Sequence, residues 1–387
     1  MISNEELRKL FQAKFQSEPL LTQAPGRINI IGEHTDYNDG FVLPAAIDRY
    51  AKFAIQRNNS SVCNVVALDL DETASFSQEE TLKPSELGWL NYIIGVTDGF
   101  IQEGAKLGGF NVIFSSNVPF GAGMSSSAAI ESGLGVALNE LFSAGLSDES
   151  IALIGQRAEH MFAGVKCGIM DQFASVFGKE NKVVKIDCRS QHREYFPADF
   201  GDYQIVLIDS KVKHALVSSE YNIRRKQCES GVLTLQKNNP EIKALRDVTL
   251  KDLELVKPVL ESKVYDRCKY VIEENDRVLE ACRELSANNI NRVGELMCQT
   301  HQGLSKLYEV SCKELDLLVD YASKEKAVIG SRMMGGGFGG CTINLIERHA
   351  VDQVTERILS SYKEETAIAA AVYKLNISDG AKILNIA

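Results

Sequence analysis

Polar side chains are concentrated at residues 26–40, GRINIIGEHTDYNDG, between two strand-like patterns. Arg27, Glu33, His34 and Asp36 lie close together there, beside a tyrosine and an asparagine. Carboxylates next to histidine and amide groups supply the paired donors and acceptors that a hydroxyl-rich ligand such as a sugar requires. Ligand-reading groups typically sit on loops of a rigid scaffold. The alternatives are a solvated turn with incidental charge, or a metal site, although adjacent residues rarely converge on one ion.

A glycine- and serine-rich segment, NVPFGAGMSSSAAIESG at residues 117–133, precedes an apolar helical pattern. Glycine lets the backbone approach a ligand closely, serines add hydroxyl groups, and a helix start presents N–H groups and partial positive charge to an anion. A glycine-bearing turn that merely caps a core helix explains the same residues. Because the chain has no GxxxxGK[ST] pattern, a nucleotide bound here would be held by a scheme other than a Walker loop.

A second glycine cluster lies at residues 330–347, GSRMMGGGFGGCTINLIE, and formally contains GxGxxG at Gly335, Gly337 and Gly340. The dinucleotide-binding fingerprint requires a following helix, whereas CTINLI is a strand pattern, so that interpretation fails. Ordering so many glycines is entropically unfavourable. We therefore expect a second domain or a ligand to pack against this main chain.

The polar and glycine-rich segments need a scaffold, and 387 residues exceed the size at which a single hydrophobic core keeps growing. Strand patterns dominate the start of the chain, and helical, charge-rich patterns dominate residues 251–324. We predict two α+β domains, residues 1–200 and 201–387, with the boundary near residues 195–215.

Composition excludes several classes of protein. A net charge of −10 without a basic cluster argues against a nucleic-acid partner. No apolar run approaches the roughly 18 residues of a membrane span. Nine cysteines, without CxxC pairs, suggest neither a disulfide framework nor a zinc site. The start of the chain has the pattern of an amphipathic helix and not of a signal peptide, so we expect a cytoplasmic protein.

Together these three segments resemble the three motifs of the GHMP sugar and metabolite kinases, and the first resembles the signature of the galactokinases. Three further stretches are similar to galactokinase segments: GWLNYIIGV, AEHMFAGVKCGIMDQFAS and SSEYNIRRKQCE. The blocks occur in the family's order from Arg27 to Cys341. The resemblance implies an α+β fold of two domains, the first like domain 2 of ribosomal protein S5 and the second ferredoxin-like, with the active site in the cleft between them.

The implied reaction is phosphorylation of galactose at its anomeric hydroxyl, with ATP as co-substrate and Mg²⁺ as cofactor. By the resemblance, Asp171 is the candidate base and Arg27 the cation that keeps it ionised. Taken alone, Asp171 is equally well explained as a helix cap. A loose transition state demands little activation of the nucleophile, so Asp171 either removes the proton or orients the hydroxyl. The groups expected around the sugar are Glu33, His34, Asp36, Gly168, Asp171 and Tyr221.

The resemblance also assigns the nucleotide and metal groups. Trp89 and Tyr92 would flank the adenine, and Ser127, with Ser126 as an alternative, would hold Mg²⁺ together with Glu159. The residues expected to surround the triphosphate are Pro119, Gly121, Ala122, Gly123, Met124, Ser125, Ser126, Ser127 and Ala128.

Two positions depart from the family's pattern. Met124 stands where leucine is commoner, a volume-conserving exchange. Met334 stands where threonine is usual, which removes a hydroxyl near the expected phosphates. The SSSAA run is intact, unlike that of galactose-sensing relatives without kinase activity. The alternatives are a related sugar 1-kinase acting on N-acetylgalactosamine, arabinose or galacturonate, or a non-catalytic sensor of galactose and ATP. A monomer is expected.

Overall fold

The computed structural model describes residues 2–213 and 217–384. The helices are α1 (Asn4–Phe15), α2 (Leu90–Gln102), α3 (Ser126–Leu141), α4 (Asp148–Ala158), α5 (Met170–Phe177), α6 (Val217–Gln236), α7 (Leu250–Val256), α8 (Ser262–Ser286), α9 (Ile290–Lys306), α10 (Lys313–Ser323) and α11 (Val351–Thr366). The strands are β1 (Leu20–Asn29), β2 (Phe41–Val42), β3 (Pro44–Arg57), β4 (Val62–Ala67), β5 (Glu72–Ser77), β6 (Phe110–Ser116), β7 (Lys182–Asp187), β8 (Arg193–Pro197), β9 (Tyr203–Lys213), β10 (Val328–Met333), β11 (Gly339–Glu347), β12 (Ala371–Lys374) and β13 (Lys382–Ile383).

Five strands from the first half of the chain form a six-stranded sheet with β13, which comes from the end of the chain. The order of strands is β13-β1-β3-β6-β4-β5. Its strands pair antiparallel except for β4 and β6, which are parallel. The long β1–β3 pairing runs from Leu20 opposite Ile55 to Asn29 opposite Pro44, and its register shifts between Pro25 and Arg27. Such irregularities re-aim side chains. This one lies directly beside the candidate cation Arg27.

A four-stranded antiparallel sheet in the order β10-β11-β9-β12 forms the second half. Numbered along the chain, these strands have the spatial order 2-3-1-4, which is the ferredoxin-like arrangement. Helices α10 and α11 cover it through a core that includes Val206, Leu318, Ile346 and Ile358. The predicted α+β fold is confirmed. A small sheet in the order β2-β7-β8 completes the strands.

The two halves of the chain share a hydrophobic core and a pair of strands. The largest hydrophobic core combines side chains of the six-stranded sheet with Leu207 of β9, Val278 of α8 and Met297 of α9. At the end of the chain, β13 returns to pair with β1, Ile383 lying opposite Thr22. The division into residues 1–200 and 201–387 stays a prediction.

The helical region predicted for residues 251–324 is confirmed, and one of its helices also forms hydrogen bonds to the polar loop. Thr249 and Asp252 form a capping box at the start of α7. Helix α8 carries Glu274, which accepts a hydrogen bond from the Gly32 N–H at 2.8 Å, and Asn275, which accepts from the Phe41 N–H at 2.9 Å. This helix therefore braces the polar loop at residues 32–41 from behind.

Among the described residues, no helix is both long enough and apolar enough to cross a membrane.

Candidate active site

One cavity of about 460 Å³ brings together most of the residues singled out from the sequence. Its walls come from the polar loop, the start of α3, the start of α5, α6 and the second glycine cluster. The predicted residues that line it are Arg27, Glu33, His34, Asp36, Tyr92, Pro119, Gly121, Gly123, Met124, Ser125, Ser126, Ser127, Glu159, Asp171 and Tyr221. Gly168, Trp89, Ala122 and Ala128 are not among its lining residues.

The serine-rich segment forms a loop that ends at the start of α3, and we call residues 117–127 the phosphate loop. Gly121 and Gly123 have positive φ of 73° and 75°, and Ser125, the residue before the helix, is also left-handed at 54°. Among the described residues no side chain caps this helix start, and its first turn carries no acidic residue. The first N–H groups of α3 therefore face the cavity without a side-chain partner, which suits an anion.

The Ser125 hydroxyl accepts no capping hydrogen bond from the helix, and it donates to Asp171 Oδ2. The Arg27 guanidinium forms a bidentate pair with the same carboxylate, Nε–Oδ1 at 2.8 Å and Nη2–Oδ2 at 3.0 Å. Arg27 also donates to the Gly123 carbonyl. Asp171 lies in the first turn of α5, a favourable position for negative charge. The alternative that Asp171 merely caps that helix is wrong, because Ile169 is the cap residue and Asp171 follows it by two positions.

Carboxylates outnumber cations around Arg27. Burial opposes its charge, but Asp171, Glu33 and Asp36 together raise its pKa above the ordinary value. Burial, with help from the charge of Asp171, raises the pKa of Asp36 to about 7. Asp36 is therefore partly protonated near neutral pH, and a cation added to the cavity would favour its ionised form.

Glu159 shares this environment, at the start of a short π-helical turn, Glu159–Ala163. Burial raises its pKa to about 7, the Ser127 hydroxyl lowers it by hydrogen bonding, and Asp171 raises it. The two residues that the resemblance assigned to Mg²⁺ are therefore neighbours in the structure. Within residues 2–213 and 217–384, no three histidine, cysteine or acidic side chains are grouped to bind a metal ion.

The polar loop is buried and is not a solvated turn, so that alternative is wrong. Gly32 and His34 have positive φ of 101° and 63°. The Thr35 hydroxyl donates to the Gly32 and Phe41 carbonyls at 2.9 and 2.6 Å, and the Asn38 amide donates to the His34 carbonyl at 2.9 Å. These local bonds hold His34 in a backbone conformation that non-glycine residues seldom adopt.

Glu33 is held by the second glycine cluster. Its Oε1 accepts from the Gly335 N–H at 2.8 Å and from Arg332 Nη1 at 3.1 Å. Arg332 is fully buried and also donates to the Ile30 carbonyl at 2.9 Å. Arg332 was not predicted as a site residue, although a charged side chain in a strand needs a partner when it is buried.

Gly168 acts through its lack of a side chain. A Cβ atom at this position would lie 2.2 Å from the Asp36 carboxyl group. Any other residue would displace that carboxylate, so Gly168 borders the polar loop without lining the cavity. Tyr221 lines the cavity beside His34, and the centroids of the two rings are 5.2 Å apart.

The two aromatic residues expected at the adenine differ in position. Tyr92 lines the cavity, whereas Trp89 packs on Phe114 with ring centroids 5.9 Å apart and donates its indole N–H to Glu72 at 2.5 Å. Ala122, within the phosphate loop, and Ala128, in the first turn of α3, are both buried.

The second glycine cluster packs against the phosphate loop. We call residues 333–340 the third-motif loop. A Cβ atom on Gly123 would lie 3.0 Å from the Met334 carbonyl oxygen, and one on Gly340 would lie 3.3 Å from the Ala122 carbonyl carbon. This main chain therefore packs against another protein segment, while Gly335 and Gly336 also line the cavity.

Comparison with known proteins agrees with this geometry. The galactokinase galactose-binding signature matches residues 9–57, and the N- and C-terminal domains of the GHMP kinases match residues 91–179 and 278–364. The chain is 41% identical to a galactokinase of Thermotoga petrophila over 92% of this chain and 98% of that protein. It is 38% identical to a galactokinase of Roseiflexus over 98% and 97% of the two chains.

Among solved structures, the crystal structure of Lactococcus lactis galactokinase complexed with galactose superposes with a TM-score of 0.94. The two chains are 30% identical, and the match covers 98% of this chain and 99% of the other. The fold and the sequence matches define this protein as a GHMP kinase. Within that class, the chain belongs to the galactokinase family, as the sequence resemblance predicted.

Proposed function

We propose that this enzyme transfers the terminal phosphoryl group of ATP to the anomeric hydroxyl of α-D-galactose, giving galactose 1-phosphate, the entry step of galactose catabolism. The observation that carries the proposal is the position of Asp171. Its carboxylate is bound by Arg27 and by Ser125 of the phosphate loop, within the cavity that the polar loop also lines. The Asp171 carboxylate thus lies between the phosphate loop and the polar loop. This position suits it to align a sugar hydroxyl with a phosphoryl group.

In this scheme, Asp171 accepts the proton of the anomeric hydroxyl or orients that hydroxyl toward phosphorus. Arg27 keeps the carboxylate ionised and offsets negative charge on the group being transferred. Phosphoryl transfer asks the protein mainly for alignment and charge neutralisation. The bidentate Arg27–Asp171 pair supports this assignment, because it fixes both the charge and the orientation of the carboxylate.

The phosphate loop would receive the triphosphate. Its support is the start of α3, where Ser125 leaves the helix without a side-chain cap. The predicted loop residues Pro119, Gly121, Gly123, Met124, Ser126 and Ser127 line the same cavity. Tyr92 is the better placed of the two aromatic residues expected at the adenine. Trp89 is half-buried against Phe114 and does not line the cavity, so its role at the adenine has less support.

Mg²⁺ fits the Ser127–Glu159 pair, which supplies two oxygen donors in an environment rich in negative charge. This ion commonly takes one or two protein oxygens and completes its shell with phosphates and water. Bound there, it would neutralise charge on the phosphates. Ser127 and Glu159 would hold it, and the cation would favour the ionised form of the Glu159 carboxyl.

Sugar recognition is assigned to Glu33, His34, Asp36, Gly168 and Tyr221. The first three are almost completely buried. A sugar epimer that left such groups unpaired would bind poorly, since unpaired buried polar groups are costly. Glu33 keeps its Oε1 on Arg332 and Gly335, so its other oxygen is the one available to a hydroxyl.

An ADP-release assay tests the proposal, with galactose, N-acetylgalactosamine, arabinose and galacturonate compared at equal concentrations. Galactose should give the highest kcat/KM. A higher value with another sugar would identify a related sugar 1-kinase. Binding of galactose and ATP without ADP release would identify a sensor and overturn the proposal.

A cytoplasmic location and a monomeric state complete the proposal, with galactose and ATP as the binding partners. The support for the location is that all nine cysteines are free thiols, as expected in a reducing compartment. Fractionation of cells and light scattering of the purified protein would test the two statements separately.

A further inference from the structure

A chain of hydrogen bonds leads from the candidate sugar pocket into the protein. His34 Nδ1 lies 2.8 Å from the Tyr37 hydroxyl, which lies 2.7 Å from the Tyr308 hydroxyl. The Tyr308 hydroxyl in turn lies 3.2 Å from Cys228 Sγ. We call these four residues the His34 relay. It joins the polar loop to α6 and to the segment after α9, although the residues are far apart in sequence.

The inner part of the relay is rigidly held. Tyr308 is fully buried, and its ring packs against Tyr270 with centroids 4.8 Å apart. Its backbone carbonyl accepts a hydrogen bond from Arg224 Nε at 2.8 Å. The His34 ring contacts Tyr308 and Tyr221, with centroid distances of 4.9 and 5.2 Å. The imidazole therefore has little freedom to rotate away from Tyr37.

The charge state of His34 limits what it can offer a ligand. Burial and the nearby Arg224 guanidinium lower the pKa of His34 to about 3. The ring is therefore neutral at physiological pH, with one nitrogen as donor and the other as acceptor. Which nitrogen carries the proton is set by the bond that the other one makes.

The chemistry of the relay indicates the direction of its bonds. A neutral imidazole nitrogen is a much stronger base than a phenol oxygen, so the favoured arrangement has the Tyr37 hydroxyl donating to Nδ1. Tyr308 then donates to Tyr37, and the weak thiol donor of Cys228 faces Tyr308. The proton of His34 is left on Nε2.

The surroundings of Nε2 agree with this direction. The backbone of Gly336 raises the pKa of His34, which is the effect of a nearby carbonyl acceptor. Within the described residues, Nε2 is buried and makes no hydrogen bond of ordinary geometry, and His34 lines the cavity. The Gly336 carbonyl is therefore a poorly placed acceptor, and a ligand oxygen that reached Nε2 would give this buried donor a hydrogen bond of ordinary geometry.

We propose that the His34 relay fixes His34 as the Nε2–H tautomer, so that this residue donates a hydrogen bond to one oxygen of the sugar. Tyr37 and Tyr308 are positioning residues that act through His34. The statement about the sugar rests on the proposed function, whereas the statement about the tautomer does not.

The tautomer is measured by long-range ¹H–¹⁵N correlation NMR of the imidazole nitrogens in the labelled full-length enzyme. His34→Asn identifies the His34 signal by its loss. At neutral pH, without ligands, we expect one tautomer with the proton on Nε2. A proton on Nδ1, or an exchange-averaged mixture, would overturn the proposal whether or not the enzyme phosphorylates galactose.

Two variants test the direction of the relay. Tyr37→Phe should leave Nδ1 without its donor and produce a mixture of tautomers. Tyr308→Phe should leave the proton on Nε2, because Tyr37 still donates to His34. If the bonds ran in the opposite direction, Tyr308→Phe would turn the Tyr37 hydroxyl toward His34 and move the proton. Tyr362→Phe removes another buried tyrosine hydroxyl, bound to the Ser210 carbonyl at 2.9 Å, and should change neither signal nor kinetics.

Kinetics with deoxygalactoses test the contact with the sugar. Tyr37→Phe should raise KM for galactose by about tenfold, the size of one impaired buried hydrogen bond, with little change in kcat. For the one deoxygalactose that lacks the contacted oxygen, wild type and variant should have equal KM. An equal loss for every analogue would show that the relay does not act through a sugar hydroxyl, and would leave galactokinase activity itself unchallenged.

Discussion

The phosphate loop and the third-motif loop are both rich in glycine and touch each other, yet glycine serves different purposes in them. In the phosphate loop, positive φ at Gly121 and Gly123 turns the chain so that the N–H groups at the start of α3 face the cavity. In the third-motif loop, Gly335, Gly337 and Gly340 also have positive φ, and neighbouring backbone lies close against them. A Cβ atom on Gly337 would lie 2.2 Å from the Val310 carbonyl oxygen.

The element that follows each loop explains the difference. A helix start leaves N–H groups unpaired, whereas a strand such as β11 uses its N–H groups in the sheet. The phosphate loop can therefore offer helix N–H groups to a ligand, whereas the third-motif loop packs against the phosphate loop and reaches the cavity through Gly335 and Gly336. Glycine content alone does not identify a phosphate site, and the structural context decides.

The largest effect is expected at Asp171, the proposed catalytic carboxylate, which the phosphate loop contacts through Ser125. Asp171→Asn keeps the shape of the side chain but removes the charge that Arg27 and Ser125 bind. We expect kcat to fall by roughly 10²- to 10⁴-fold, the usual contribution of a general base. Steady-state ADP release measures this, with circular dichroism to show that the variant is folded.

The outcome also separates the two roles left open for Asp171. A loss near the lower end, without a change in the pH profile, would favour an orienting group. An unchanged kcat would show that Asp171 is not the base and that the contact with Ser125 has no catalytic meaning.

A smaller effect on activity is expected when the proposed Mg²⁺ ligand in the phosphate loop, Ser127, is replaced. Ser127→Ala removes one oxygen donor next to Glu159, so the Mg²⁺ concentration for half-maximal activity should rise roughly ten- to a hundredfold. Titration of activity with MgCl₂ at saturating ATP measures it. Ser126→Ala is the matched control and should shift the midpoint far less. A larger shift of the Mg²⁺ midpoint in Ser126→Ala than in Ser127→Ala would show that Ser126 is the metal ligand.

A substitution in the third-motif loop should lower the stability of the fold and leave the rate of the reaction unchanged. Gly337→Ala places a methyl group against an immobile backbone carbonyl at a position with φ of 85°. The strain of the left-handed backbone alone is about 1 to 3 kcal/mol. We expect the free energy of unfolding to fall by at least that much, while kcat per folded molecule is retained.

Thermal unfolding followed by calorimetry measures the change for Gly337→Ala. Gly88→Ala serves as the control, because a Cβ atom there meets nothing within 4 Å. A Gly337→Ala enzyme as stable as wild type, but with weakened ATP binding, would place this loop in the same functional class as the phosphate loop.

The smallest effect on activity is expected at Met334. Its side chain is buried in the main hydrophobic core, and Met334 is not among the residues that line the cavity. Met334→Thr should therefore change the kinetic constants by less than about twofold, or roughly 0.4 kcal/mol. It should destabilise the fold, because methyl groups are lost and a hydroxyl is buried. A KM for ATP lowered tenfold would show that the threonine usual in this family contacts the phosphates.

The sequence by itself determined the fold class, the family and the three segments that meet at the cavity. These signals are local. Glycine before a helical pattern, carboxylates in a short connection and the order of motifs are all readable within stretches of about 20 residues. The α+β fold and the membership in the galactokinase family, both predicted from these signals, are confirmed by the structure and by the related proteins.

The tertiary structure alone decided which side chains contact each other. Arg27 and Asp171 are 144 positions apart, and Glu33 and Arg332 are 299 apart, so no local pattern could predict either pair without knowledge of the family. The same holds for Tyr308 in the His34 relay and for the backbone contact of Gly123 with Met334. Burial is set by the packing of elements distant in sequence, and burial gives these polar contacts their strength.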